Sequence, residues 1–105
     1  MGLDEHQKSV DKRMSQFKDG YRDNDKILRQ IIEEVGEIAK VLSYMDGTKK
    51  PKEWEKVETL DAEVADLLFS VICLINSNKI DPDAAFKKMM KEKRWKRDNN
   101  RFEKK

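Results

Sequence analysis

If "LLFSVICLI", Leu67 to Ile75, is helical, it is apolar nearly all round, and such a helix must be covered on every side. It continues a stripe of helical period through Val57, Leu60, Val64, Leu67, Leu68, Val71 and Leu74. The spacing predicts a helix from roughly Trp54 to Asn76, either regular throughout or after an irregular start. Three other helices in a chain of 105 residues are not expected to enclose it, the alternative being a central helix fully enclosed within one chain. Phe69, Cys73 and their neighbours are therefore expected to pack on a second subunit.

Three further helices are readable. One runs from about Asp4 to Lys18, with Val10, Met14 and Phe17 on one face, and "KDGYRDND" breaks it at Gly20. Another starts after an Asn24/Asp25 cap and runs to about Met45, with Ile27, Leu28, Ile31, Val35, Ile38 and Leu42 at i, i+3/i+4 spacing. "DGTKKP" is a loop. The last helix opens with Asp81 as N-cap and Pro82 at its first position, carries Phe86 with Met89 and Met90, the two methionines as core candidates, and fades in "KRWKRDNN". No strand is evident, and Gly and Pro number only 4 and 2, which favours helix. The fold class expected is all-α: one bundle-like four-helix domain over residues 1–105, assembling into a dimer or tetramer, with a basic, flexible C-terminal segment from about residue 94.

Acidic residues border the apolar stripes. With Ile31 at zero and about 100° per residue, the stripe of the second helix centres near 20–30°. Glu34 falls at about −60° and Glu37 at about −120°, while Glu33, at about 200°, lies roughly opposite, either outward or in an outer shell. "DAEVADLL" repeats the spacing with Glu63 and Asp66. If the two helices are antiparallel neighbours, four carboxylates converge at the edge of an apolar layer. Like charges this close repel, so protons are taken up or a cation is bound. An all-oxygen set suits Mg²⁺, or Mn²⁺, rather than zinc, and the sole histidine, His6, lies outside any ligand spacing. From the residues alone two readings stand: a metal site, or solvated acidic faces.

"EEVGEIAKVL" followed by "DAEVADLLFSVICLIN" resembles the EExxE…ExxD pattern of the MazG-like nucleotide pyrophosphohydrolases. "QFKDGY", the "ID" opening the last helix and "KRWKRDNNRF" resemble their small single-domain members. The resemblance implies a dimeric or tetrameric all-α enzyme. It implies Mg²⁺-dependent hydrolysis of a nucleoside triphosphate, ribo or deoxy, to monophosphate and pyrophosphate, in nucleotide-pool housecleaning. By position Glu34, Glu37, Glu63 and Asp66 resemble the metal ligands, and Glu33 completes the motif as a further catalytic residue. Asn76, Lys93 and Arg97 resemble substrate-binding residues, Asn76 for a sugar or phosphate oxygen (or else a helix C-cap). Gly36 would give clearance to another helix or to substrate. Tyr21, Trp54 and Trp95 either stack on a base or pack.

The net charge of +2 is uneven. Residues 87–105 hold ten Lys/Arg and three Asp/Glu, about +7, which leaves about −5 for residues 1–86. The rival reading is thus a non-enzymatic basic helical module binding nucleic acid through residues 87–105. It leaves the acidic pairs unexplained, so nucleic acid is not the expected partner. The single cysteine gives no disulfide framework. No signal peptide is evident and no apolar stretch reaches about 18 residues, so no membrane association and a cytoplasmic location are expected.

Overall fold

The structure, a computed structural model, describes residues 2–105. It is all-α, as expected: α1 (Asp4–Met14), α2 (Asn24–Met45), α3 (Leu60–Ser77), then α4 (Pro82–Lys88), which continues through a π-helical segment (Met89–Arg94) into α5 (Trp95–Arg101). Three boundaries differ from those read in the sequence. α1 stops at Met14, where the Ser15 hydroxyl donates to the Lys12 carbonyl (3.0 Å) and tight turns lead to Gly20 at φ +61°. The α2 cap is Asp23, whose Oδ1 accepts from the Lys26 N–H at 2.9 Å. α3 starts only at Leu60, with Thr59 capping the Ala62 N–H. Trp54 and Val57 belong to the connection before it. That connection is tied to α2 through Glu55, which meets Lys40 at 2.6 Å and accepts from the Tyr44 hydroxyl at 2.8 Å. These partners hold the Glu55 carboxyl down at about 2. Asp81 and Pro82 open α4 as the sequence predicts.

α2 and α3 pack side by side and antiparallel. Asn24 and Asn78 exchange amide hydrogen bonds at one end (3.1 and 2.8 Å), Glu34 and Asp66 meet midway, and Tyr44 lies toward the other end with Val57. α1 crosses α3, and the small core joins Val10, Ile27, Ile72 and Cys73, with Met14, Tyr21, Ile31 and Leu74 against it. Cys73 therefore packs inside its own chain, because α1 covers the side of α3 that was expected to need a second subunit. Phe69 stays exposed. Met89 is half-buried, but Met90 is exposed and is not a core residue, and Phe86 is exposed too, since α4, the π segment and α5 form one continuous helix that packs little on the rest of the chain.

The apolar stripe of α2 is wider than one chain covers. Ile27, Ile31, Ile38 and Val41 turn toward α3, while Leu28, Ile32, Val35 and Leu42 are exposed. Val64 and Leu68 are likewise exposed on α3. The radius of gyration is 17.4 Å, against about 13 Å for a compact chain of this length. No helix among the described residues is long and apolar enough to cross a membrane.

Gly36 has no atom of another element within 4 Å of where a Cβ would stand, so no helix of this chain uses that clearance. Gly36→Ala is expected to stabilise the isolated chain by about 0.8–1 kcal/mol through helix propensity, measured by urea denaturation. A loss of stability would show that something outside the chain approaches Gly36.

Candidate active site

The wheel of α2 explains the site. Residues packed on α3 centre near −40° rather than 20–30°, so Glu34, at about −60°, stands within the contact line, not at its edge. Opposite it, Glu63 is buried at 5% exposure. Oxygens of Glu34, Glu63 and Asp66 lie within 4.8 Å of one another. The Glu34 carboxylate accepts a hydrogen bond from Gln30 Nε2 at 2.6 Å, the i, i+4 amide–carboxylate pairing that a helix surface allows. Glu63 has no hydrogen bond or ion pair among the described residues. Burial, and then the charges of Glu37, Asp66, Glu34 and Glu58, push its carboxyl up from the ordinary value. A buried carboxylate facing two others, with no ion pair among the described residues, fits a hard divalent ion supplied from outside.

The other sequence-derived candidates are placed differently. Glu37 is exposed and lines a small cleft with Lys40, Tyr44, Glu58 and Glu63, adjoining the three-carboxylate group. Glu33 is exposed and points outward, as the wheel indicates. Asn76 sits behind the site. Its Nδ2 donates to the Gln7 carbonyl (3.1 Å) and the Tyr21 hydroxyl (3.0 Å), and its Oδ1 accepts from Gln7 (3.1 Å). The C-cap of α3 is Asn78 instead. Tyr21 in turn donates to Asp11, and burial, with that bond, pushes its hydroxyl up to about 12. Lys93 and Arg97 are exposed, one in the π segment and one in α5, on an arm that packs little on its own α2–α3 pair. Trp54 is 79% exposed and lies under the Lys52 ammonium, and Trp95 is also exposed.

A cavity of about 310 Å³ adjoins the carboxylates. Glu34 and Asp66 form one side, and Met14, Ile27, Phe69 and Cys73 supply apolar wall. Tyr21 and Arg22 also line it, as do Gln30 and Ser70, which sequence reasoning missed. Their signals were present: Gln30 precedes Glu34 by four residues, and Ser70 follows Asp66 by four as the one hydroxyl in "LLFSVICLI".

Fold and site together define an all-α domain whose paired helices oppose carboxylates beside a ligand-sized cavity. A family model for the MazG nucleotide pyrophosphohydrolase domain matches residues 22–102. YpjD of Bacillus subtilis (strain 168), described as uncharacterized, is 33% identical over 84 residues, which is 80% of this chain and 76% of that protein. The crystal structure of the Bacillus-conserved MazG protein, a nucleotide pyrophosphohydrolase, has a TM-score of 0.74 and 29% identity, covering 88% of each chain. That of YPJD from Bacillus subtilis has a TM-score of 0.77 and 30% identity, covering 89% of this chain and 95% of that one. The chain belongs to the MazG nucleotide pyrophosphohydrolase family. It is a hydrolase acting on nucleotide phosphoanhydrides, and the resemblance carried by the two acidic motifs is borne out.

Proposed function

We propose that the protein converts a nucleoside triphosphate, ribo or deoxy, and water to the monophosphate and pyrophosphate, with Mg²⁺ as the resident cation, Mn²⁺ substituting. The observation that carries the cation is buried Glu63, grouped with Glu34 and Asp66 and without an ion pair among the described residues. A bound divalent ion supplies neutralisation of these carboxylates and polarisation of phosphate oxygens. Gln30 fixes the Glu34 carboxylate toward α3. Glu37 adjoins Glu63 and completes the ligand set in this reading. In this reading exposed Glu33, one turn before Glu37, orients water at the outer edge of the site. Asn76 bears on the substrate through Tyr21, which it holds in the cavity wall.

Lys93 and Arg97 neutralise charge on the pyrophosphate leaving group, Arg97 by a bidentate fork. Their arm packs little on its own acidic pair, so in this reading they serve a neighbouring subunit. The exposed halves of the α2 and α3 stripes support a homodimer or homotetramer, because apolar rows of this length are ordinarily covered. Clearing unwanted nucleotides from a cytoplasmic pool is the setting this activity implies.

A panel of ribo- and deoxynucleoside triphosphates, incubated with Mg²⁺, Mn²⁺ or EDTA and followed by pyrophosphate release, tests the reaction. Turnover of at least one nucleotide is expected with either metal and none with EDTA. Release of orthophosphate in place of pyrophosphate would overturn the proposed bond cleavage.

A further inference from the structure

The cavity beside the carboxylates holds an unpaired polar group. Ser70 is only 5% exposed and lines the cavity, yet its hydroxyl has no hydrogen-bond partner among the described residues. Ser43, also in a helix, donates to the Ala39 carbonyl at 3.0 Å. Ser70 makes no such bond. The hydroxyl is open to the cavity rather than sealed in the packing, so it is available to hydrogen-bond a ligand bound there. Gln30 stands in the same cavity. One of its N–H groups is held by Glu34, and its carbonyl oxygen has no partner either.

Position along the helices says which part of a ligand meets them. Ser70 lies one turn beyond Asp66 on α3, about 6 Å along the axis. Gln30 lies one turn before Glu34 on antiparallel α2, so both displacements point the same way. A nucleotide with its phosphates at the carboxylates would carry its sugar past Ser70 and its base between Met14, Ile27, Phe69 and Cys73. The volume, about 310 Å³, is at the small end of ligand pockets, about 300–1,000 Å³, and suits one nucleoside.

Resting on the phosphoanhydride activity above, we propose that Ser70 is a specificity-determining residue whose hydroxyl hydrogen-bonds the sugar of the nucleotide. It acts on nucleoside binding and takes no part in bond cleavage. The test compares wild type with Ser70→Ala, which removes one oxygen and leaves the helix intact, on the best nucleotide and on its ribo, 2′-deoxy and 2′,3′-dideoxy forms. KM for the best nucleotide should rise roughly tenfold, the loss of one buried hydrogen bond, with kcat hardly changed and discrimination among the sugars reduced. Inhibition by inorganic tripolyphosphate, which has no sugar, should be the same in both proteins. An unchanged KM, or an equal loss for every sugar and for tripolyphosphate, would overturn the proposal.

Cys73, the sole cysteine, gives a readout that does not need turnover. A nucleoside monophosphate should slow its alkylation by a small thiol reagent in wild type, and less so in Ser70→Ala. If wild type hydrolyses no nucleotide, the activity reading falls, and Cys73 protection still decides whether the cavity takes a nucleoside. Protection weakened by the substitution supports the site, and absence of protection in wild type removes it.

Discussion

Glu63→Gln should lower activity at least about a hundredfold, since even residues that only orient a metal's ligands cost 10–100-fold when changed. In metal-free buffer the same change should raise the melting temperature. The reason is where the carboxylate sits. Glu63 is buried on α3, faces Glu34 and Asp66, and has no positive partner among the described residues. Its folded pKa is raised, chiefly by burial. The folded chain therefore holds this proton more tightly than the unfolded chain does. That contribution to stability is fully present below the ordinary carboxylate range and is lost as pH rises through the raised folded value. Metal-free wild type should lose stability across that window relative to Glu63→Gln, which has nothing to ionise there. Added Mg²⁺ should close the gap by binding wild type alone. Thermal melts by circular dichroism, at several pH values with and without Mg²⁺, read all three effects. Equal melting temperatures in metal-free buffer at neutral pH would mean that Glu63 carries no unpaired charge.

The second large effect concerns the basic arm. Arg97→Ala alone should lower activity on the order of a hundredfold, the scale of a lost transition-state donor. Glu63→Gln alone should be inactive for the reason above. Unfolded together and refolded, the two inactive proteins should recover activity. A mixed dimer holds one site with intact carboxylates from one subunit and an intact arginine from the other. Random pairing makes half of all dimers mixed, with one good site in two, so recovery should approach about a quarter of the wild-type rate. The basis is that Arg97 lies on a continuous helical arm that packs little on the rest of its own chain, with the acidic pair elsewhere. No recovery in a demonstrably mixed oligomer would mean that each arm serves its own carboxylates.

Much of this arrangement was legible in the sequence. The periodicity of α2 and α3 and the matched acidic spacings predicted opposed carboxylates, and Glu34, Glu63 and Asp66 do meet. The wheel erred by about 60° for a physical reason: it weighted every apolar residue of α2 equally. Leu28, Ile32, Val35 and Leu42 face away from α3 and drew the centre off the contact line. The start of α3 was hidden because Val57 and Trp54 fit a helical spacing, whereas Glu55, bound to Lys40 and Tyr44, holds that stretch as a connection. Asn76 shows a different limit. Its partners Gln7 and Tyr21 lie 69 and 55 residues away in the chain, and no local pattern announces them. The π segment at Met89–Arg94 was also invisible, since its wider turn displaces the downstream residues from an α-helical wheel drawn through "MMKEKR".

The half-covered stripe of α2 bears on how the protein comes to exist at all. A chain whose core is little more than Val10, Ile27, Ile72 and Cys73 draws limited stability from its own interior. If a second copy covers Leu28, Ile32 and Val35, folding and association become one equilibrium, and the protein's stability depends on its own concentration. Scarce chains would then be the ones most exposed to unfolding and proteolysis, so the amount of active enzyme would fall more steeply than the amount synthesised.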